Sequence, residues 1–412
     1  MRLQRLLPDL GIMKSVLQPL PFVVFLFILP FPGTVALRLM CLVAMVLIAA
    51  FSWRSLAPPP VPCRWAIALW AGAALASLAY AVDPAYSLRE IKNEVGYSLM
   101  ACVAFFAWTR DEGRLRLAGL ALLAGFAVIA VSAIAGYAWT GEWRRDVFYG
   151  GAGAISSYLV TAGPVLVLAI VLWSPRHAGR WLVVSGLFFL AVALLSGQRV
   201  LWPTIALQAA LFGVWLWRTG ASALKSSRIA WTGLLLLALI AGGLYVSERL
   251  RTSGDSDSPL AMQKDLRPRL WQEVAERIAE HPLTGAGFGR RAMSKAYPDL
   301  IPAESPLLWH AHNLVLNYGL SAGVPGMIAV LVLFAALGSR FWRLALAGGR
   351  LDNRVGLAGA VMVLGVFARN MVNDFFVRDG ALLFWALSGM LLGYALRQAN
   401  APAERRSDVR QA

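Results

Sequence analysis

Residues 117–138 read LAGLALLAGFAVIAVSAIAGYA, a run without a single charge. As a helix rising 1.5 Å per residue it is about 33 Å long, enough to cross the roughly 30 Å hydrocarbon core of a bilayer. Unpaired backbone amides are costly in lipid, so the run must be helical. The pattern recurs along the chain. Of 412 residues, 58% are hydrophobic and only 15% charged, against about 25% charged in a soluble domain. One water-covered core cannot bury that much apolar surface at this length. The fold class is therefore an all-α, polytopic integral membrane protein.

Working outward from that run, the hydropathy pattern places about twelve transmembrane helices. They fall near residues 16–31, 34–51, 65–81, 93–109, 117–138, 153–173, 181–197, 200–217, 229–247, 312–337, 355–372 and 381–397. Two closely spaced pairs, 16–31 with 34–51 and 181–197 with 200–217, are joined by very short turns. The organisation is nine spans over 1–247, a large loop over 248–311, three spans over 312–397 and a polar, disordered cytoplasmic tail over 398–412. The first apolar run has no small-residue cleavage site and reads as a span rather than a signal peptide.

Charge sets the orientation. With the N-terminus inside, twenty-one lysines and arginines fall in inside segments and six in the short outside loops, so the positive-inside rule puts both termini in the cytoplasm. The net charge of +16 then reflects loops that meet anionic lipid, and implies no nucleic acid. Cys41, Cys63 and Cys102 lie in separate segments without disulfide or metal spacing.

The loop 248–311 is predicted to stand on the non-cytoplasmic side. Within Arg267 to Glu280, Leu270, Trp271, Val274 and Ile278 fall at helical spacing, while Arg269, Glu273, Glu276, Arg277 and Glu280 face away. This predicts an amphipathic helix lying on the membrane surface, ended by His281-Pro282. Gly285 to Gly289 (GAGFG) predicts a tight turn; without a preceding strand it is not a nucleotide loop.

The outside face is more basic than the positive-inside rule requires. Arg89, Arg144, Arg145 and Arg199 sit in short outside loops or at span ends, and Arg267 and Arg269 open the surface helix. Guanidinium forks suit phosphate oxygens, so the set predicts a site for a phosphorylated substrate. Taken singly, each arginine is better explained by pairing with Asp83, Glu90, Asp146 or lipid phosphate; the set as a whole favours function. Arg369, within a span and followed by Asn370, Asn373 and Asp374, predicts a polar cavity; Arg38 reads as a snorkelling side chain. His310 and His312 stand in WHAHN at the mouth of the tenth span. Two histidines at i, i+2 begin a metal site, but no third ligand stands at a recognisable spacing. The favoured reading is a neutral imidazole at His312 acting as a general base, with His310 supporting the loop. Gly323-Val-Pro-Gly326 predicts close packing or a helix break near that site.

These residues carry a resemblance. His312-Asn313 followed by Gly323-x-x-Gly326 resembles the signature of bacterial O-antigen ligases. Leu195-Ser-Gly-Gln-Arg199 is similar to an element of the wider O-antigen ligase and polymerase superfamily, although Val200-Leu201-Trp202-Pro203 replaces the small residues that often follow it. Arg267 to Gly289 resembles that superfamily's surface helix and turn. The likeness covers roughly residues 185–330.

The resemblance implies a GT-C-like, inverting glycosyltransferase that needs no metal or other cofactor. It implies an undecaprenyl-diphosphate-linked polysaccharide as donor, lipid A–core as acceptor and a site on the periplasmic face of the inner membrane. His312 would be catalytic, with Arg89, Arg145, Arg199, Arg267, Arg269, Asn313 and Arg369 contacting diphosphate or sugar. An O-antigen polymerase, using a second lipid-linked chain as acceptor, and a lipid-linked saccharide transporter are the alternatives. Charges gathered at one face suit an interfacial enzyme better than a transporter, whose ionisable residues sit at mid-span.

Overall fold

A computed structural model describes residues 18–31, 33–141, 152–219, 240–245, 266–303, 308–347 and 350–399. Every regular element among them is helical. In chain order they are α1 (Leu20–Ile28), α2 (Val35–Phe51), α3 (Arg64–Ala76), α4 (Pro84–Glu90), a π-helical turn (Ile91–Gly96), α5 (Tyr97–Trp108), α6 (Glu112–Thr140), α7 (Ala152–Trp173), α8 (Ala178–Leu195), α9 (Leu201–Arg218), α10 (Arg267–Glu280), α11 (Arg291–Ala296), α12 (Leu314–Ala347), α13 (Arg350–Asn370) and α14 (Arg378–Ala399).

Among the described residues, six helices are long and apolar enough to cross a membrane: α6, α7, α8, α12, α13 and α14. The twelve expected spans are not all of that kind. α1 has 9 residues, about 13 Å of helix, and α2 has 17. The expected span at 93–109 is the second half of a longer path running from Pro84 through the π turn to Trp108. Most of the expected span at 229–247 lies outside the described residues.

Short connections make consecutive helices antiparallel. The starts of α4, α7, α9, α12 and α14 therefore gather at one end of the bundle with the ends of α8 and α13. The core between them is broad and aromatic: Phe22 stacks on Trp108 at 4.4 Å, and Phe334 packs against Phe367, Phe376 and Phe384.

Arg38 does not snorkel. It is buried and donates to Asp379 at the start of α14. A charge held below the interface needs an acid, and α14 supplies one. The surface helix also departs from expectation. Leu270, Val274 and Ile278 of α10 are buried, as the periodicity predicts, but against Met293, Leu300, Leu308, Ala311 and Leu320 rather than lipid. Protein side chains offer that apolar face closer packing than headgroups do. Trp271 Nε1 fixes the helix by donating to Ala311 O at 2.9 Å.

α12 is broken where the glycines suggested. Ala322 (φ −140°, ψ 20°) and Gly323 (φ +67°) leave the helical region. Pro325 has no N–H to offer Ser321 O, and the strap 282–287 supplies partners instead. Ala286 N donates to Leu320 O at 2.7 Å, Gly287 N to Ser321 O at 3.1 Å, and Val324 N donates to Pro282 O at 2.8 Å. All three groups at the break are thereby satisfied, as apolar surroundings demand. Two glycines permit the approach. A Cβ on Gly285 would lie 2.4 Å from the Ser321 backbone, and one on Gly323 would lie 2.7 Å from Pro282 O.

Candidate functional site

The strap brings the segment after GAGFG to the end of the bundle where α12 begins and α13 ends. Three residues of the α12 entry zip to the chain leaving α13. Asn313 Nδ2 donates to Met371 O at 2.9 Å, His312 Nδ1 lies 2.7 Å from Asn373 Oδ1, and Asn317 Nδ2 donates to Asp374 Oδ2 at 2.8 Å. Asn313 also caps α12 by accepting from Leu316 N at 3.1 Å. Both ends of its amide thus make bonds within the protein that fix the loop, each with one bonding position left over.

The WHAHN segment is not helical, so His310 and His312 are not splayed to opposite faces. Their rings stack with centroids 3.8 Å apart. His312 has φ +49°, a left-handed conformation uncommon in a non-glycine residue and one that gathers at functional sites. Its N–H donates to His310 Nδ1 at 3.1 Å, which holds the turn. His310 is itself buried against Trp309. Burial, with the charges of His312, Arg290 and Arg267, pushes its pKa down to about 2, so it stays neutral.

Arg369 ends α13 in the interior, 1% exposed. Its Nε and Nη2 donate to Ser156 Oγ at 3.2 and 2.8 Å, and Nη2 makes a long contact with Gln198 Oε1 at 3.5 Å. The Phe375 ring lies 5.3 Å from the guanidinium carbon. Nη1 is buried without a partner among the described residues, and among them no acid pairs with this cation. Arg267 lies within electrostatic reach of both Arg369 and His310.

Arg290 is the participant the sequence reading missed; its only signal was its place directly after GAGFG. It donates from Nη1 to Asp374 O at 3.0 Å and lies over the Trp309 ring at 5.4 Å. Asp374 is 1% exposed, and burial raises its pKa. Glu90 is buried and pairs with Arg378 at 3.3 Å; Glu94, buried on the π turn, is in electrostatic reach of Glu90, Asp374 and Arg290. Such π turns are frequent at functional sites. Of the carboxylates expected near the outside arginines, Glu90 pairs with Arg378, Asp83 pairs with Lys295 and also lies in reach of Arg89, and Asp146 lies outside the described residues.

The other expected arginines separate. Arg199 is exposed in the α8–α9 turn beside Gln198. Arg89 is exposed at the end of α4, near Asp83. Arg269 is not brought to the site. Two residues beyond Arg267 it points about 200° away, stands 77% exposed and pairs with Glu273 at 2.8 Å. Arg145, with Arg144, lies outside the described residues. Among the described residues no group of three His, Cys, Asp or Glu side chains could hold a metal ion.

Residues 184–331 match the family model described as O-antigen ligase, and no curated protein matches the chain significantly. The matched stretch takes in Gln198, Arg199, Arg267, Arg290 and the His310–Asn317 segment. Arg369, Asn373 and Asp374 reach the same place from beyond it. Over residues 184–331 the chain is similar to the O-antigen ligase family, and its described residues include six helices long and apolar enough to cross a membrane, as an integral membrane protein of that kind requires.

Proposed function

We propose that this protein is an O-antigen ligase. It moves a polysaccharide from undecaprenyl diphosphate to a sugar hydroxyl of lipid A–core at the periplasmic face of the bacterial inner membrane, within a twelve-span, GT-C-like frame. The observation that carries the reading is Arg369. A buried guanidinium with an unused donor and no acid partner among the described residues is costly unless an anion comes to it, and a diphosphate is such an anion. Arg267 stands in reach as a second cation, and the His312–Asn373 pair lies at the same end of the bundle.

In the reaction, the acceptor oxygen attacks the anomeric carbon of the donor. The bond from that carbon to the phosphate oxygen breaks, and the diphosphate leaves with the electron pair. His312 takes the acceptor proton during the attack, and one displacement inverts the anomeric centre. Arg369 and Arg267 stabilise the negative charge growing on the leaving group, the point at which fixed cations act most strongly. Because the glycosyl–phosphate bond is already activated, these cations do what a metal would otherwise do. Arg199 and Arg89 are assigned to the mouth, where they gather the anionic donor, and Arg145 is assigned to the same substrate from its place in the sequence.

Purified protein in nanodiscs, given lipid-linked O-antigen and lipid A–core in EDTA, tests this. Capped lipid A–core is expected. Activity that requires added Mg²⁺ or Mn²⁺ would remove the metal-free mechanism. Chain extension of the donor without capping would assign the protein as a polymerase.

A further inference from the structure

We propose that Asn373 is the positioning residue for His312, fixing the tautomer that leaves Nε2 as the nitrogen that takes the acceptor proton. The inference rests on the ligase reading above and names how its base is set. A neutral imidazole carries one N–H, and its other nitrogen accepts. Asn373 Oδ1, 2.7 Å from His312 Nδ1, can only accept, so Nδ1 keeps the proton and Nε2 carries the lone pair. Asn373 is in turn held by its neighbours. Met371 O on one side takes Asn313, and on the other Asp374 takes Asn317 and, through its carbonyl, Arg290.

His310 sets the backbone while Asn373 sets the ring. His310 Nδ1 accepts from His312 N–H, so it is unprotonated, and the stacked ring presents no positive charge to oppose protonation of its neighbour. The His312 ring is therefore clamped from two sides by groups on different segments. When Nε2 takes the proton, the imidazolium keeps its Nδ1–H on Asn373 and needs no reorientation. A base reaches its rate only when geometry and tautomer are set beforehand.

Arg267 from α10 and Arg290, directly after GAGFG, lie within electrostatic reach of His310, and Asp374 stands beside Asn373. Arg267 and Arg290 are cations at this end of the bundle. A carboxylate in place of the amide at position 373 would oppose them, stabilise the imidazolium and raise the His312 pKa. Activity would then need a higher pH, because only the neutral ring is a base.

The test is kcat, donor KM and the pH–rate profile for Asn373→Ala and Asn373→Asp beside wild type and His312→Ala, each checked for monodispersity and melting temperature. Asn373→Ala is expected to lower kcat by roughly 10–100-fold, the scale on which an outer partner of a working histidine acts, with donor KM within about twofold. Asn373→Asp is expected to retain activity at high pH and to move the acid limb up by about 1–2 pH units. If Asn373→Ala fails to fold, the isosteric Asp variant still reads the contact through that limb.

Wild-type kcat in Asn373→Ala, with His312→Ala inactive, would overturn the positioning role while leaving the base in place. A folded Asn373→Asp that is inactive at every pH would mean that the amide N–H₂ donates to Nδ1, reversing the tautomer. Full transfer by His312→Ala would instead strike the base itself, and with it that part of the proposed function.

Discussion

Two arginines end helices at opposite ends of the bundle, and they are used in opposite ways. Arg397, in the last turn of α14, spends its fork on carbonyls. Nη1 donates to Phe106 O at 2.8 Å and Gly393 O at 3.0 Å, with Thr109 O at 3.5 Å, and Nη2 donates to Ala107 O at 2.9 Å and Leu56 O at 3.2 Å. The last carbonyls of a helix have no partner of their own, so one guanidinium completes the end of α5 and the single turn Trp53–Leu56 and ties both to α14. Arg369 is more deeply buried yet spends less, touching one hydroxyl, one amide and a ring, with Nη1 unpaired. A saturated cation holds structure. An unsaturated one, kept at a cost, is available to a ligand.

The contrast can be broken at either end. The largest effect is expected from His312→Ala, which should lower transfer by roughly 10²–10⁴-fold, the usual worth of a general base, with donor binding kept. O-antigen capping in a strain lacking its own ligase, with protein levels read by blot, checks it; full capping by well-expressed variant would remove the base from the mechanism. Next is Arg369→Met, which matches volume without charge. Transfer should fall by roughly 10²–10³-fold, as when one stabilising donor is lost from a transition state. Its melting temperature should hold or rise, because a buried unpaired charge is replaced by apolar bulk. A large drop in melting temperature with normal transfer would make Arg369 structural like Arg397.

Arg397→Met should do the reverse. Transfer per folded molecule should match wild type, while stability falls by about 2 kcal/mol, since buried carbonyls lose their donor. Thermal unfolding in detergent micelles reads it, and an activity loss at unchanged stability would erase the distinction. The smallest effect is expected at Arg269. It is exposed and pairs with Glu273 one turn away, so Arg269→Ala should change both readouts by less than about 0.5 kcal/mol. Arg267→Ala, two residues earlier and in reach of Arg369, should impair transfer. Equal effects from the two would contradict the facing of α10.

Much of this architecture is visible in the chain. Long uncharged runs such as 117–138 and 153–173 specify their helices unaided, because lipid leaves the backbone no other solution. The faces of α10 follow from its periodicity, and the break in α12 from Gly323 and Pro325. The short elements are less legible: α1 is apolar enough to read as part of a span but has only nine residues, and α3 ends at Ala76 in a tighter 3-10 turn, Ser77–Tyr80. The covering of α10 was likewise hidden, since an amphipathic face does not say whether lipid or protein will meet it.

At the site, sequence alone determined the chemistry on offer: a histidine at a span mouth, an excess of arginines at one face, and an intramembrane arginine followed by Asn370, Asn373 and Asp374. These follow from residue type and position along the chain, which hydropathy and charge can read. Only the tertiary structure decided which of them meet. The zipper from His312, Asn313 and Asn317 to Asn373, Met371 and Asp374 joins segments some sixty residues apart, and Ser156 reaches Arg369 across 213. The same folding sent Arg267 toward the histidines and turned Arg269 away. Contacts of that range are set by helix ends packing together and by which polar groups must find partners where water is absent, and no local spacing encodes them.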